Sequence, residues 1–219
     1  MTTSETQAHP LPVPRAPRIP KHGYHHGDLR RALLDAALRI LVEEGPHALT
    51  LREVARRVGV TQAAPYHHFA DKDAILAAVA EEGFTKLYES MIDARDAAGA
   101  KPAARLRALG AGYVRFAVQH PAHFRVMFEK MVDMTEHASL HDCANQSFAV
   151  LLEAVTEGQR AGVVRKGSPA ELALLTWSTM HGLATLWISG AATGPTGPVG
   201  TIESLADAAT EMLVRGLSR

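Results

Sequence analysis

The chain has 219 residues, of which 47% are hydrophobic and only 5% aromatic, a composition that favours packed helices over the aromatic and β-branched residues of sheets. The formal net charge is zero, which excludes a uniformly acidic or basic protein, yet residues 15–72 carry ten Lys and Arg against six Asp and Glu. We therefore predict an all-α chain whose early, basic segment faces a polyanion and whose neutral remainder forms a second domain.

Cysteine content and hydropathy indicate the cellular location of the protein. Cys143 is the only cysteine, so no intramolecular disulfide can form, and the start of the chain lacks the basic-then-apolar pattern of a signal peptide. The uncharged stretch 172–202 has the length of a membrane span, but Thr, Ser, His and Gly interrupt it and no cluster of Lys and Arg flanks it. We expect a cytoplasmic protein with no membrane partner, in which this stretch is a buried or dimer-interface helix.

The N-terminus predicts a disordered arm followed by a helix. Residues 1–22 contain five prolines and no apolar periodicity, which is typical of disorder. Basic residues are interspersed in this arm, at Arg15, Arg18 and Lys21. From Asp28 to Leu41 apolar residues recur at helical spacing, and Gly45-Pro46 ends this first helix.

Residues 50–67 predict two short helices joined by a tight turn. Thr50 and Glu53 have the spacing of a capping box, in which each side chain satisfies a free backbone N–H at the helix start. Gly59 permits the turn, and Thr61 is positioned to cap a third helix that runs through His67. Helix, glycine turn and helix is the arrangement that places the second helix of the pair in the major groove, so residues 23–72 predict a DNA-binding domain.

The remainder, residues 73–219, predicts a connector helix and a helical second domain. Asp71 caps a helix that continues to about Ala98, and Phe84, Leu87 and Met91 lie on its apolar face. Proline or glycine then bounds four further helices, and an apolar stripe after the loop 190–200 predicts a last one. Their predicted ranges are 102–119, 121–131, 136–161, 169–189 and 202–217. The total is about nine helices and no strand.

Two runs in the predicted DNA-binding domain form a specific pattern. They are Leu51-Arg52-Glu53-Val54-Ala55-Arg56-Arg57-Val58-Gly59-Val60-Thr61 and Tyr66-His67-His68-Phe69, followed by Asp71-Lys72. This pattern resembles the TetR family of transcriptional regulators, strongly over about residues 25–85. Trp177 with His181-Gly182, and Tyr24-His25-His26-Gly27-Asp28, are similar to one branch of that family, whose effector domain bears these Trp and His-Gly residues.

The resemblance implies that the third helix and the turn before it contact DNA. The residues concerned are Thr61, Gln62, Ala63, Tyr66, His67 and His68. Their chemistry agrees, because the Gln62 amide can pair with adenine and the Ala63 methyl can contact a thymine methyl. Side chains suited to phosphates are Tyr66, His68, Lys72, Thr50 and Arg52. By analogy with other basic arms, residues 1–22 add nonspecific or minor-groove contacts. Arg56 and Arg57 fit contact with DNA and a solvated helix face equally well.

Pro65 departs from the family pattern, since many members carry a leucine or another helix former at this point of the third helix. A proline inside a helix removes a hydrogen bond and crowds the carbonyl four residues back. We expect a tight or distorted first turn, which changes where Gln62 and Ala63 point.

Aromatic, methionine and histidine residues of the second domain are candidates for an effector pocket, which is usually apolar with a few polar groups. They are Phe116, His120, Phe124, Met127, Phe128, Met131, Phe148, Trp177 and His181. The alternative for each is ordinary core packing, and for His181 a hydrogen bond in a dimer interface. The uncharged surroundings favour an apolar or aromatic small-molecule effector.

A metal site and an enzyme are the alternatives from other classes. His137, His141, Asp142 and Cys143 are near in sequence, but one helix cannot aim all four at one ion. The chain has no Gly-x-Ser-x-Gly, phosphate-binding glycine loop or His-Glu-x-x-His motif for a hydrolase. We expect no metal, no cofactor and no catalytic residue. A nonspecific architectural DNA-binding protein would leave the large neutral domain without a role.

The last two predicted helices, 169–189 and 202–217, are expected to form a homodimer as a four-helix interface. Its candidate residues are Leu183, Leu186, Leu205, Ala209, Met212 and Leu213. A two-fold dimer presents two recognition helices to successive major grooves, about 34–36 Å apart, and so reads a palindromic double-stranded operator. The sequence therefore predicts a sequence-specific transcriptional regulator, a repressor that a small effector releases from its operator.

Overall fold

The computed structural model of the chain describes residues 26–129, 131–194 and 197–218, which form eight α-helices, two 3₁₀-helices and one short β-ribbon. The α-helices are α1 His26–Glu43, α2 Leu51–Val58, α3 Lys72–Ala97, α4 Pro102–Gln119, α5 Pro121–Phe128, α6 Ala138–Arg160, α7 Pro169–Ile188 and α8 Ile202–Leu217. The prediction of an all-α fold is confirmed. The predicted arm, residues 1–22, lies outside the described residues.

Three details differ from the predicted elements. The helix predicted up to His67 is a 3₁₀-helix, Ala64–His67, and a second 3₁₀-helix, Met134–Glu136, precedes α6. The loop 190–200 contains two strands, β1 Thr193–Gly194 and β2 Gly197–Pro198, which pair antiparallel across a two-residue connection. No periodicity in the sequence predicts this ribbon, because each strand has only two residues.

The N-terminal part packs its helices around one small core. Helices α1 and α2 bury Leu33, Ile40 and Val54 completely, and Phe69, which follows the 3₁₀-helix, is 3% exposed. The first turns of α3 extend this core, since Ile75 is also fully buried. Helix α3 therefore belongs to both parts of the molecule and fixes the helix-turn-helix to the rest.

The C-terminal part is a helical bundle centred on α4. Helix α4 contacts α3, α6, α7 and α8, while the short α5 lies against α1, α3 and α4. Helices α7 and α8 leave several large apolar side chains in solvent, and Leu174, Leu175, Leu186 and Met212 are between 49% and 73% exposed. Within the described ranges, no helix combines the length and apolarity that a membrane span needs.

Candidate functional site

Helix α2 begins at a side-chain cap that completes only half of the predicted capping box. The Thr50 hydroxyl oxygen accepts a hydrogen bond from the Glu53 N–H at 3.1 Å, as predicted. The Glu53 carboxylate, however, accepts from the guanidinium groups of Arg56 and Arg57. These hydrogen bonds, with that to Arg56 the largest influence, lower the pKa of Glu53 to about 2. The carboxylate is therefore ionised and serves the ion pairs instead of the cap.

The two arginines of α2 have different environments. Arg57 joins α2 to the end of α1, because its guanidinium lies 2.5 Å from a Glu43 oxygen and also contacts Glu44. Its side chain is 21% exposed, whereas that of Arg56 is 71% exposed and pairs only with Glu53, at 2.6 Å. Arg57 thus stabilises the packing of α1 on α2, whereas the exposure of Arg56 fits contact with DNA and a solvated face equally well.

The turn after α2 has the geometry that the sequence predicts. Gly59 has a φ of 78°, in the left-handed region, and its N–H donates to the carbonyl oxygens of Ala55 and Arg56. The Val60 N–H also donates to the Ala55 oxygen, at 3.1 Å. This pair of bonds is a Schellman-type ending, which satisfies the last carbonyls of α2 and sends the chain sharply into the next element.

The recognition segment, residues 61–69, is a series of tight turns. The N–H groups of Ala64, Tyr66 and His68 each donate to the carbonyl three residues back, over 2.9 to 3.2 Å. Pro65 has no N–H to reach the Thr61 carbonyl four residues back, and its ring is buried. The expected distortion is confirmed: the segment has the tighter 3₁₀ pitch.

The prediction that Thr61 caps this helix is wrong. The 3₁₀-helix starts after Ala63, and no side chain caps it. A capping Thr61 hydroxyl would have to accept a hydrogen bond from the Ala64 N–H. This N–H already donates to the Thr61 backbone carbonyl at 3.0 Å. The Thr61 side chain is consequently exposed and available to a partner.

Most of the predicted DNA-binding residues are exposed, and we call this set of residues the recognition surface. Its exposed members are Thr50, Arg52, Thr61, Gln62, Ala63, Tyr66 and His67. His68 is half-buried, and Tyr66 is 52% exposed. Lys72 donates from Nζ to the Pro46 carbonyl at 2.8 Å, which fixes its ammonium beside the end of α1 and leaves two further donors.

A cavity of about 370 Å³ lies between α3, α4, α5, α6 and α7 of the C-terminal bundle and is partly open to solvent beside the exposed Asn145 and Leu174. Four of the nine predicted pocket residues line it: Met127, Phe128, Phe148 and Trp177. The sequence analysis did not predict the lining residues that α3, α4 and α6 contribute, which include Phe84, Leu87, Met91, Tyr113 and Leu151. The spacing of Phe84, Leu87 and Met91 did predict a buried helix face, but periodicity does not tell a cavity wall from packed core.

The other five predicted pocket residues lie outside the lining. Phe116 is 1% exposed within the core, and Met131 lines a separate groove between α1 and α5. His120 directly precedes α5 without a side-chain capping bond, and its ring centroid lies 5.4 Å from that of Phe116. Phe124 stacks on the His181 ring, at 5.1 Å between centroids, and both lie behind Tyr113.

A hydrogen-bonded chain of three side chains lies at one wall of the cavity. The Trp177 Nε1–H donates to the Tyr113 hydroxyl at 3.1 Å, and that hydroxyl lies 2.8 Å from His181 Nδ1. Burial raises the pKa of Tyr113 and lowers the pKa of His181, so both are neutral near pH 7. Trp177 therefore faces the cavity, and His181 bonds within the subunit through Tyr113.

A polar cluster that the sequence did not indicate joins α5 to α1 and α3. The Glu82 carboxylate lies 3.1 Å from Arg31, 3.3 Å from Lys86 and 3.6 Å from His123 Nε2. The His123 side chain is only 8% exposed, and its burial lowers its pKa to about 4 despite the opposing effect of Glu82. Next to this cluster, one turn further along α5, Met127 and Phe128 enter the cavity wall.

The four residues considered for a metal site lie apart from any such centre. His137 precedes the first turn of α6, and His141 Nδ1 lies 3.0 Å from the Asn145 amide nitrogen. Cys143 is a half-buried free thiol whose pKa burial raises. In the part of the chain that the structure describes, no group of three His, Cys, Asp or Glu side chains has the geometry to hold a metal ion.

A helix-turn-helix with an exposed recognition surface, attached to a helical bundle with a cavity between its helices, defines a DNA-binding transcriptional regulator. The family described as "Bacterial regulatory proteins, tetR family" matches residues 33–79, and "Tetracyclin repressor-like, C-terminal domain" matches residues 106–213. The chain belongs to the TetR family.

Relatives with names or structures agree with this assignment. A solved protein of unknown function from Rhodococcus sp. RHA1 is 34% identical, with a TM-score of 0.80 over 91% of this chain and all of that one. The TetR regulator PfmR from Thermus thermophilus, 23% identical with a TM-score of 0.68 over 85% of this chain and 99% of that one, shows the same fold. The transcriptional regulator BetI of Rhizobium meliloti (strain 1021) is 40% identical over 80 residues, 36% of this chain and 39% of that protein. The chain spans only 39% to 55% of the length of such curated relatives.

Proposed function

We propose that the protein is a homodimeric repressor that binds a palindromic operator and is released from it when a small, uncharged effector occupies the cavity. The observation that carries this proposal is the recognition surface. Its side chains project into solvent from a turn that Gly59 and Pro65 fix through backbone geometry. Because the backbone of this turn is fixed, the hydrogen-bond donors and methyl groups of the recognition surface are preorganised for binding to DNA.

The division of roles on the recognition surface follows from chemistry. Gln62 and Ala63 are exposed at the start of the segment and are suited to base edges. Thr50, Tyr66 and Arg52 carry hydroxyl and guanidinium donors suited to phosphates. The first group sets sequence preference, and the second sets affinity and its dependence on salt.

A dimer through α7 and α8 is supported by the exposed apolar side chains of these helices. Leu174, Leu175, Leu186 and Met212 are about half exposed or more, and residues 172–202 include no Asp, Glu, Lys or Arg. Three of these four leucine and methionine side chains belong to α7, and exposed apolar clusters of this kind often mark a protein–protein interface. Leu183, Leu205, Ala209 and Leu213 are half-buried beside them and complete the interface.

Helix α3 supports a connection between the cavity and DNA. Its first turns, with Ile75, belong to the N-terminal core, and its later residues Phe84, Leu87 and Met91 form one wall of the cavity. A ligand that repacks this wall changes the orientation of α3, and thereby the separation of the two recognition surfaces. The dimer leaves its operator if the ligand binds the state with the changed separation more tightly than the DNA-binding state.

The experiment that tests this function is a selection from random double-stranded DNA with the purified protein, at about 50 and 200 mM salt. Enrichment of a palindrome, with binding that falls steeply with salt, is the expected result. Enrichment of unrelated sequences, with binding that depends on salt alone, would indicate an architectural DNA-binding protein instead.

Two variants and a reporter complete this test. Gln62→Ala should change the base preferred at one position of each half-site, whereas Arg52→Gln should weaken all sequences equally and reduce the salt slope by about one. A reporter whose promoter overlaps the selected operator should fall when the protein is expressed. A rise in reporter activity would show an activator and refute the repressor.

A further inference from the structure

The hydrogen-bonding side chains of the cavity lining are Tyr113, Trp177, Ser147 and Asn145. The Trp177 N–H is used because it donates to the Tyr113 oxygen at 3.1 Å. The Ser147 hydroxyl lies 3.2 Å from the Phe84 carbonyl oxygen and 3.1 Å from that of Cys143, so its proton is also used. Asn145 lies at the exposed edge of the cavity, where its amide nitrogen contacts His141.

The direction of the bond between Tyr113 and His181 follows from the need to place the hydroxyl proton. In the apolar cavity an unpaired O–H would cost about 1–3 kcal/mol, and His181 Nδ1 is an acceptor 2.8 Å away. The chain therefore runs from the Trp177 N–H to the Tyr113 oxygen and from the Tyr113 O–H to His181. The donors of Trp177, Tyr113 and Ser147 are then all satisfied, and what these side chains leave for a ligand is acceptor capacity, on the oxygens of Tyr113 and Ser147.

The rest of the lining is uncharged, and four aromatic rings share it with seven aliphatic or methionine side chains. The rings of Phe84 and Phe128 meet edge to face at 5.6 Å, and those of Phe148 and Trp177 at 6.1 Å. Such rings contact a flat aromatic ligand through both faces and edges. The lining includes no Asp, Glu, Lys or Arg, so an ionised ligand would lose its hydration without gaining a partner of opposite charge.

We propose that the cavity selects uncharged aromatic ligands that carry a hydrogen-bond donor, a phenolic O–H or a ring N–H, and that this donor binds the Tyr113 oxygen. This inference rests on the proposed function in one respect, which is that the ligand of this cavity is the effector. Within the proposal, Trp177 and His181 are positioning residues, because they fix the orientation of the Tyr113 hydroxyl.

The test compares three probes of the same ring system by equilibrium dialysis at about pH 7.5, where both His181 and Tyr113 are neutral: 2-naphthol, naphthalene and 2-naphthoate. The wild-type protein should bind 2-naphthol about tenfold or more tightly than naphthalene, which is the effect of one hydrogen bond in an apolar site. It should bind 2-naphthoate at least about tenfold more weakly than 2-naphthol, because the carboxylate meets no cation.

The variant Tyr113→Phe should bind naphthalene as the wild type does but lose the preference for 2-naphthol. The matched control is Tyr88→Phe, which removes the hydroxyl of a tyrosine that is 40% exposed and absent from the cavity lining. This control should keep the wild-type ratio of the two affinities. An unchanged ratio in Tyr113→Phe would overturn the proposed contact while leaving the cavity as a ligand site.

A second variant tests the direction of the hydrogen bonds. In His181→Leu the Tyr113 proton loses its acceptor and becomes free to bind a ligand, so 2-acetylnaphthalene, which only accepts, should bind more tightly than to the wild type. An unchanged or weaker affinity for this ketone would overturn the proposed direction. Failure of both naphthalene and 2-naphthol to bind the wild type would instead refute the cavity as an effector site. Tighter binding of 2-naphthoate or of tetramethylammonium than of 2-naphthol would refute selection for uncharged ligands.

Discussion

A β-carbon on Gly83 would lie 2.5 Å from the Met127 sulphur, so α5 packs directly on the backbone of α3. The same carbon would lie 3.1 Å from the His123 β-carbon. Both of these contacts involve residues with a further role: His123 also contacts Glu82, and Met127 also lines the cavity. The absence of a side chain at position 83 thus sets how closely α5 approaches α3.

We expect Gly83→Val to lower the free energy of unfolding by about 1–3 kcal/mol, the usual cost of overpacking a close contact. Valine and glycine have similar, low helix propensities, so propensity does not hide the effect. Gly216→Val in α8 is the matched control, since its β-carbon would meet no atom within 4 Å. Urea unfolding measures both variants, and equal effects would contradict the role of Gly83 in α3–α5 packing.

The buried His123 should make stability depend on pH. Its pKa in the folded chain, about 4, lies below the usual 6.5, chiefly because burial disfavours the imidazolium. The unfolded state therefore binds the proton more readily between these values, and stability is complete above about pH 6.5 and falls as the pH drops towards 4. The charged and titratable groups that face His123 are Glu82, Lys86 and His120.

We expect His123→Gln to reduce the loss of stability between about pH 7.5 and pH 5.5 by on the order of 1 kcal/mol. Urea unfolding at the two pH values measures the difference. His137→Gln is the control, since His137 lies on the loop before α6, away from this cluster. An identical pH dependence in the wild type and in His123→Gln would show that His123 is protonated as easily in the folded chain as in the unfolded one.

Pro65 should decide the shape of the recognition segment. Pro65→Ala supplies an N–H that can donate to the Thr61 carbonyl four residues back, so the segment can take the wider α-helical pitch. The side chains of Gln62 and Ala63 then move relative to α2, and affinity for the selected operator should fall about tenfold or more. Pro46→Ala, in the exposed loop after α1, should leave affinity unchanged. Wild-type affinity of Pro65→Ala, measured by fluorescence anisotropy, would contradict this.

The exposed apolar side chains of α7 and α8 should hold the dimer together. Leu186→Glu and Met212→Glu each place a charge on a side chain that is at least half exposed in the single chain. Sedimentation should show monomers, with specific operator binding lost. Val42→Glu is the control because Val42 is 68% exposed on α1, and it should remain dimeric. Dimers of normal affinity in both α7 and α8 variants would refute this interface.

The sequence alone determined the features that depend on neighbours within about five residues. The caps at Thr50 and Asp71 form as predicted, with side-chain oxygens that accept from the N–H three residues on. The left-handed turn at Gly59 and the tight pitch around Pro65 also follow from local backbone chemistry. The order of the helices was predictable for the same reason, since proline, glycine and apolar spacing act within one or two turns.

Tertiary structure decided which buried faces enclose a space and which side chains meet across it. The sequence predicted Phe116 as a pocket residue and Phe84 only as part of an apolar helix face, but Phe84 lines the cavity and Phe116 lies in packed core. The Tyr113–His181 bond joins residues 68 positions apart, and Glu82 meets Arg31 and His123 from two other helices. These contacts depend on the separation and rotation of whole helices. The packing of all side chains together determines this arrangement, so it cannot be predicted from any short stretch of sequence.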